Sequence, residues 1–236
     1  MQEVRLSRRL AAIFSLLPDT GGAADVGTDH GHIPVCLLQS GFSGRVCATD
    51  IRKGPLSAAR RAAEEAGFSD RIEFYLTDGL DGIDENGIAS VVIAGMGGEN
   101  IAAILARALW TKEDRLLVLQ PMSKVPFLRR WLLENGYRIE TESLVSDGPV
   151  YELLTARGGQ DAPLSSAELL TGRFTLISGD PLFPARLEKL LHRQTRAVAG
   201  LSVSTKPEDA ARLPEEQETL ALLLAMRERM VQNGQG

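Results

Sequence analysis

The chain has 236 residues, of which 44% are hydrophobic and 24% are charged, and its formal net charge is −5. This composition is typical of a soluble protein with enough apolar mass for a full core. The longest apolar runs fall well short of the ~20 residues that span a membrane, and the first residues form no apolar signal region. We therefore expect a cytoplasmic protein with no membrane segment. The net charge alone argues mildly against a nucleic-acid partner, but the placement of the positive charges matters more.

The two cysteines, Cys36 and Cys47, lie within apolar stretches of the sequence. A cysteine in such a stretch is typically a small core residue. Neither a CxxC nor an HxxxH spacing occurs, which argues against a structural zinc site. We therefore expect no disulfide and no bound metal.

Residues 6–156 predict an alternation of helices and strands. The apolar spacing from Leu6 to Leu17 indicates a first helix, with Ser7 as its cap and Pro18 at its end. Strands follow at residues 23–27, 45–50, 71–76, 89–94 and 115–119, helices at 32–39, 55–66, 99–109 and 125–135, and a closing antiparallel pair at 137–144 and 150–156. Such an alternation with a final hairpin is typical of methyltransferases. We predict an α/β, Rossmann-like class I methyltransferase domain with a mainly parallel seven-stranded sheet.

The character of the chain changes at Gly158, where a linker-like stretch runs to Pro163. Apolar residues at helical spacing then predict a long helix at 182–201 and a second helix at 215–230, separated by a polar stretch with two prolines. Two helices joined by a turn usually pack antiparallel. We predict a methyltransferase domain at 1–158 and an α-helical hairpin domain, coiled-coil-like, at 159–236.

The first β-α turn carries acids and glycines in alternation: Asp25, Gly27, Asp29 and Gly31. In dinucleotide-binding Rossmann domains, glycines at this spacing let the backbone approach the ligand. The carboxylate of Asp29 would repel a pyrophosphate, whereas it suits the sulfonium and ammonium cations of S-adenosylmethionine. The turn therefore favours S-adenosylmethionine as the cofactor. The alternative is an ordinary tight turn without a ligand.

Two further acids end the second and third predicted strands, where open α/β sheets bind ligands. Asp50 follows the glycine turn by ~20 residues, where an acid can accept both ribose hydroxyls, and Asp78 can receive the adenine amino group. Either acid could instead be a simple strand-end cap. We predict that the cofactor-binding residues are Asp25, Gly27, Asp29, Asp50, Ile51, Asp78, Gly79, Ala94, Gly95 and Met96.

The fourth and fifth predicted strands end in segments that face the same cleft. The run Ala94-Gly95-Met96-Gly97-Gly98 lacks the Asn/Asp-Pro-Pro-aromatic motif of enzymes that methylate the adenine amino group. Its glycines leave space for a planar base, although a glycine-rich turn that caps the next helix explains them equally well. Gln120 places a polar group over the cleft. We assign Gly97, Gly98, Gln120 and Pro121 to substrate binding.

Positive charge is concentrated in two short stretches of this acidic chain. Three arginines, Arg5, Arg8 and Arg9, lie near its start. Four cations in the long helix are spaced by three, four and three residues: Arg186, Lys189, Arg193 and Arg196. On an α-helix this spacing places them on one face, which suits the phosphates of an RNA backbone. We predict that both groups contact substrate RNA, the alternative being that they are solvated helix faces.

Four runs of the sequence resemble the bacterial tRNA (adenine-22-N1)-methyltransferases, the TrmK family: residues 24–34, 93–98, 119–121 and 128–137. The opening Leu6-Ser-Arg-Arg-Leu10 is similar as well, so the resemblance covers essentially residues 6–201. It implies a Rossmann-like domain, a helical coiled-coil-like domain, and methyl transfer from S-adenosylmethionine to N1 of an adenosine in tRNA. The sequence departs from the family pattern at Gly31-His32 and at Met122.

The implied reaction sets modest demands on the protein, because N1 of adenine already bears a lone pair. Catalysis then rests on holding N1 in line with the methyl group and on stabilising the charge that spreads to N6. Asp29 is the first candidate to accept a hydrogen bond from the N6 amino group, and His30 is the second. Asp29 could instead bind the cofactor, and that role competes with the catalytic one. The base must be turned out of the folded RNA to react. Alternatives are a small-molecule or protein methyltransferase and a non-catalytic cofactor-binding protein, and we expect a monomer.

Overall fold

The computed structural model describes residues 4–233. Its strands are β1 Gly22–Val26, β2 Val46–Asp50, β3 Ile72–Leu76, β4 Ile88–Gly97, β5 Leu116–Ser123, β6 Tyr137–Ser146 and β7 Val150–Gly158. Its helices are α1 Arg8–Phe14, α2 His32–Gln39, α3 Lys53–Ala66, α4 Gly98–Arg107, α5 Val125–Glu134, α6 Ser166–Thr171, α7 Phe174–Ile177, α8 Phe183–Ser202 and α9 Pro207–Asn233. The predicted order of elements from α1 to β7 is confirmed.

The strands form a seven-stranded sheet in the order β3-β2-β1-β4-β5-β7-β6. Strand β1 pairs in parallel with β2 and β4, β2 pairs in parallel with β3, and β4 with β5. Strand β7 runs antiparallel to β5. The predicted mainly parallel methyltransferase sheet is confirmed. Since β1 lies between β2 and β4, the turns that follow these three strands meet at one edge of the sheet.

Strands β1 and β2 are buried along their whole length, which explains their largely apolar sequences. All residues of β1 and β2 are buried, and the buried face of α2 packs in the same core. Cys36 and Cys47 are free and buried, which confirms them as core residues. Across residues 4–233, no helix combines the length and apolar character that crossing a membrane requires.

Strand β4 is longer than predicted because it continues through the glycine-rich run. Its pairing with β5 shifts register between Ala94 and Met96 and again before Gly97, and Gly95 has a φ of +77°. Helix α4 then begins at Gly98, where a Cβ atom would lie 2.6 Å from the carbonyl oxygen of Lys124. The predicted end of this strand at residue 94 is therefore three residues too early, since the run is an irregular strand end that leads directly into a helix.

The described residues separate into two compact units. One contains the residues up to Thr141 and Val145–Ala162, and the other contains Glu142–Leu144 and the residues from Pro163 onward. The second unit has its own core, which includes Phe174, Ile177, Phe183, Leu187, Leu191, Leu223 and Met226. Helices α8 and α9 supply the last five of these and pack against each other. The predicted helical hairpin is confirmed.

Helix α9 begins earlier than predicted. The polar stretch at 202–214 predicts a connection, but the helix starts at Pro207. Proline suits a first helical turn because it has no amide hydrogen to lose there. Pro214 lies inside the helix, where it removes one backbone hydrogen bond. Just after Pro214, α9 is hydrogen-bonded to α8, because Nε2 of Gln194 donates to the carbonyl oxygen of Glu216 at 3.0 Å.

Candidate functional site

The carboxyl ends of β1, β2 and β4 open into a cavity of about 750 Å³, which we call the main cavity. Every residue predicted to bind the cofactor lines it, and so does the predicted catalytic pair Asp29 and His30. These residues lie far apart in sequence, and the sheet order brings them together. The lining also contains residues that sequence patterns did not indicate: Thr28, Arg52, Asn100, Arg107 and Tyr151.

The turn after β1 is fixed to the end of β2 by its backbone. The amides of Gly27 and Thr28 both donate to the carbonyl oxygen of Thr49, at 2.8 and 2.9 Å. Gly27 has a φ of +70°, and a Cβ atom there would lie 2.3 Å from Cε of Met96. Only glycine fits this position without strain or displacement of Met96. The glycine therefore lets the turn after β1 approach the end of β4 across the cavity.

Asp25 is one of two buried acids that line the main cavity, the other being Asp50. Burial raises the pKa of its carboxyl to about 6, while the neighbouring Thr28 side chain lowers that pKa and the nearby charge of Asp50 raises it. The carboxylate is thus poorly solvated, and a cation in the cavity would stabilise its charged form. This electrostatic state suits a cationic ligand and disfavours an anionic one.

Asp50 ends β2 and is also buried. Its Oδ1 accepts a hydrogen bond from the backbone amide of Arg52 at 2.8 Å, which fixes the orientation of the carboxylate. Neighbouring Thr49 donates from Oγ1 to the carbonyl oxygen of Gly79 at 2.8 Å, so the loops after β2 and β3 are tied together. Asp50 is therefore a preoriented acceptor in the wall of the cavity, as its position after the second strand predicts.

Asp78 follows β3 and is engaged by a residue that the sequence did not point to. Nη2 of Arg107, at the end of α4, lies 3.0 Å from Oδ2 of Asp78, and its Nε lies 3.1 Å from Oδ1 of Asp81. The pairing spans almost thirty residues, so no local pattern could reveal it. It leaves Asp78 as a partly neutralised acid at the rim, in contrast to the buried carboxylate of Asp25.

Asp29 and His30 form an exposed pair at the mouth of the cavity. Oδ2 of Asp29 lies 3.8 Å from Nε2 of His30, and each side chain is 63% exposed. The backbone of Asp29 has a φ of +50°, a conformation that aspartate tolerates better than most residues. The ring of His32 contacts that of His30 edge to face, with centroids 5.7 Å apart. Burial lowers the pKa of His32, and the charge of His30 lowers it further.

The side chains assigned to the substrate separate into two groups. Arg9 lines the main cavity, with its guanidinium 5.6 Å from the ring centroid of Tyr151. Gln120 is fully buried and does not line it, because its Oε1 accepts from Nη1 of Arg9 at 2.7 Å and from the amide of Gly95 at 3.2 Å. The lining likewise lacks Gly97, Gly98 and Pro121. Gln120 therefore positions the guanidinium of Arg9 from inside the protein. Direct contact of a substrate with Gly97, Gly98, Gln120 or Pro121 stays a prediction.

The remaining predicted cations differ in exposure. Arg5 lines a second, smaller cavity, whereas Arg8 lines neither of the two cavities. On α8, Lys189, Arg193 and Arg196 are exposed, but Arg186 is half-buried and donates to the carbonyl oxygen of Leu170 at 3.3 Å. Exposed His192 lies within the same helical face as the three exposed cations.

Carboxylates are frequent around the main cavity. Within residues 4–233, no group of three or more His, Cys, Asp or Glu side chains is arranged to hold a metal ion. The acids are distributed along three separate strand ends instead. That distribution suits one extended organic ligand that touches each loop in turn.

Known proteins resemble this chain in sequence and in structure. Residues 6–154 match the family model described as a methyltransferase domain. The tRNA (adenine(22)-N(1))-methyltransferase of Bacillus subtilis (strain 168) is 31% identical over 204 residues, which cover 83% of this chain and 85% of the relative.

Solved structures agree with the sequence matches. The crystal structure of the Bacillus subtilis tRNA methyltransferase TrmK has a TM-score of 0.84 at 28% identity, covering 95% of this chain and 100% of that one. A putative tRNA methyltransferase from Streptococcus pneumoniae, solved in complex with S-adenosyl-L-methionine, has a TM-score of 0.77 at 28% identity, covering 92% of this chain and 100% of that one.

The matched methyltransferase-domain model ends at residue 154, and it contains every residue that lines the main cavity. The match to the Bacillus subtilis enzyme extends over most of both chains, and so includes more than this domain. The chain therefore belongs to the TrmK family of tRNA (adenine(22)-N(1))-methyltransferases.

Proposed function

We propose that this chain transfers a methyl group from S-adenosylmethionine to N1 of the adenosine at position 22 of tRNA. The observation that carries the proposal is the main cavity, in which Asp25, Asp29, Asp50 and Asp78 come together from three loops. A cationic cofactor with a ribose and an adenine needs acceptors of this kind. The named activity of the Bacillus subtilis relative supplies the substrate.

The side chains of the main cavity fit S-adenosylmethionine, which supplies an electrophilic methyl group on its sulfonium sulfur when it is bound. The poorly solvated carboxylate of Asp25 complements a positive charge. Asp50 is held by the amide of Arg52 as an acceptor for ribose hydroxyls. Gly27 leaves open the space that a side chain would occupy beside Met96.

The residues at the mouth of the cavity are suited to hold the target base. No strong base is needed to generate the nucleophile, because N1 of adenine carries its own lone pair. Asp29 is exposed at the mouth, and we assign it to accept a hydrogen bond from N6, where positive charge develops in the product. His30 is the second candidate. Arg9, fixed by Gln120, adds an oriented donor at the same cavity.

We assign the body of the tRNA to the helical domain, taken as residues 159–236, and the base to the methyltransferase domain, residues 1–158. The exposed face of α8 carries Lys189, Arg193 and Arg196. None of these three side chains has a hydrogen-bond or ion-pair partner in the described part of the chain. Their charge is thus available to phosphates, which position an RNA without reading its sequence. We further propose that the enzyme is a cytoplasmic monomer that works without a metal ion.

The test is a methyl-transfer assay with two unmodified tRNA transcripts that differ at position 22. A transcript with adenosine at that position is expected to gain one N1-methyladenosine, detected by mass spectrometry of the digested RNA. A transcript with guanosine there serves as the control and is expected to gain none. Equal methylation of both transcripts, or methylation of neither, would refute the proposal.

A further inference from the structure

A second cavity of about 490 Å³ adjoins the main cavity, and we call it the side cavity. It lies between the N-terminal segment, the start of α2 and one face of α3. His30 and His32 line both cavities, so the two spaces meet at these rings.

The side cavity results from a close helix contact and a row of small side chains. Gly31 has a φ of +70°, and a Cβ atom there would lie 3.0 Å from Cβ of Ala59, so glycine lets α2 approach α3 closely. Along α3 the lining residues Ala58, Ala62 and Ala66 are spaced by four, which places them on one helix face. Longer side chains at these positions would fill the space.

The polar lining of the side cavity is mainly basic. Arg5 and Arg61 reach it from two different elements, and both are exposed. Neither side chain has an ion-pair or hydrogen-bond partner among residues 4–233. Nδ1 of His32 is buried without a hydrogen-bond partner in the same described range. Among residues 4–233, Glu65 is the one acid of the lining, and it opposes this charge.

We propose that the side cavity binds a phosphodiester group of the RNA strand next to the methylated adenosine. The proposal rests on the proposed function, because it takes a tRNA base in the main cavity as given. A phosphate accepts hydrogen bonds and charge from arginine in a fixed geometry. The two unpartnered guanidinium groups of Arg5 and Arg61 match that chemistry.

The shared histidines favour a polynucleotide over a free anion. A nucleoside whose base enters the main cavity carries its backbone out past the rim, where His30 and His32 lead into the side cavity. A flanking phosphate is then already near Arg5 and Arg61 through its covalent link to the bound base. The link raises the local concentration of that phosphate, so exposed arginines suffice to hold it.

Arg61→Gln and Arg60→Gln make a matched test on helix α3. Arg60 is the control because its guanidinium stacks over Phe74 at 4.6 Å and donates to the carbonyl oxygen of that residue, outside the cavity. Arg61→Gln is expected to raise KM for tRNA about five-fold or more. It should also flatten the slope of log affinity against log salt by ~0.7 to 0.9. Cofactor affinity should stay unchanged in both variants.

Two variants test the site without removing an arginine. Ala58→Leu adds bulk at the wall of the cavity and is expected to raise KM for tRNA without changing cofactor affinity. Glu65→Gln removes the opposing acid and is expected to lower that KM. The pair separates occupancy of the cavity from a general effect of surface charge, and thermal denaturation of each variant monitors folding.

The outcomes that overturn the side-cavity proposal differ from those that overturn the function. If wild-type enzyme methylates adenosine 22 but Arg61→Gln behaves like Arg60→Gln, the phosphodiester site is refuted and the function stands. If the wild type does not methylate that adenosine, the function itself fails. Calorimetry with inorganic phosphate separates the two sources of anion. Tight binding of phosphate without RNA, lost in Arg61→Gln, would assign the cavity to a free anion and refute an RNA contact.

Discussion

The main cavity and helix α8 use charge in opposite ways. In the cavity, Asp25 and Asp50 are buried, and the backbone amide of Arg52 orients the carboxylate of Asp50. On α8, Arg193 and Arg196 are exposed and have no partner in residues 4–233. The two buried carboxylates of the cavity are placed to bind one small cation, and their burial removes them from water. The helix keeps its charges solvated and adjustable, which suits an anionic polymer that makes several equivalent contacts.

The free energy of unfolding should show this difference between buried and exposed charges most strongly. A buried carboxylate lowers the stability of the folded protein, whereas an exposed arginine contributes little either way. Substitutions in the cavity are therefore expected to trade stability against cofactor binding. Substitutions on α8 are expected to change RNA affinity alone.

The largest expected effect is a pH-dependent stabilisation by Asp25→Asn. Because burial raises the pKa of Asp25 from 3.8 to about 6, the folded state binds its proton more tightly than the unfolded state does. Wild-type stability therefore declines as the pH rises through this window and stays reduced above it. Above pH ~6.5 the variant should be more stable by about 3 kcal/mol, following from ~1.36 kcal/mol for each pKa unit.

Denaturant titrations of wild type and Asp25→Asn at several pH values measure this effect without cofactor. The advantage of the variant should shrink between pH ~6 and ~4 and vanish below that range. Asp19→Asn, at an exposed position outside the cavity, is the control. A stability difference that does not change with pH would mean that Asp25 carries no burial penalty.

Asp29→Asn should lower turnover by about 10²-fold while changing cofactor affinity less. The substitution keeps the shape of the side chain and removes the charge that we assign to the developing cation at N6. Single-turnover methylation of tRNA and calorimetric titration with S-adenosylmethionine measure the two quantities separately. Near-normal turnover would end the catalytic assignment, and an equal loss in both would leave Asp29 with a cofactor role only.

Asp50→Ala should weaken S-adenosylmethionine binding by roughly 1 to 3 kcal/mol, the scale of hydrogen bonds to a charged group. The carboxylate is oriented by the amide of Arg52, so its loss removes an acceptor that is ready for use. Calorimetry is the measurement, and Asp84→Ala, at a loop position outside the cavity, is the control. Unchanged affinity would show that the ribose is held elsewhere.

Sequence reasoning succeeded where function depends on the ends of strands. Asp25, Asp50 and Asp78 lie at or just after the ends of strands predicted to form one parallel sheet, so their meeting in one cavity was predictable. Arg107 and Tyr151 were not predictable, because they reach the cavity through contacts with residues distant in sequence. Gln120 is a third kind of residue, one whose hydrogen-bond partners the sequence did not indicate. Its polar character suggested a substrate contact, but its hydrogen bonds to Arg9 and Gly95 are made inside the protein.

On helix α8, one residue likewise has a partner that the sequence pattern did not indicate. Spacing alone puts Arg186 on one face with Lys189, Arg193 and Arg196, but the carbonyl oxygen of Leu170 captures its guanidinium. Helical periodicity gives the direction of a side chain and does not give its partners. The proposed RNA-binding row is therefore better defined by the three exposed cations that follow Arg186.

The smallest expected effect comes from reversing charge on that row. The double substitution Arg193→Glu and Arg196→Glu removes two cations and adds two anions on an exposed surface, so stability should change little. KM for tRNA should rise about ten-fold, and the slope of log affinity against log salt should flatten by ~1.4 to 1.8, the value for two lost phosphate contacts. Cofactor affinity should not move, because neither residue lines the main cavity.

Arg227→Glu on α9 is the control for this double substitution, since it reverses an exposed charge in the same unit but on the other long helix. A general field effect would raise KM in the control in proportion to the charge changed. Contact along α8 requires a larger effect per charge at Arg193 and Arg196 than at Arg227. Equal effects per charge would mean that the unit attracts RNA only through its summed charge, and the contrast between fixed charges in the cavity and contact charges on α8 would fail.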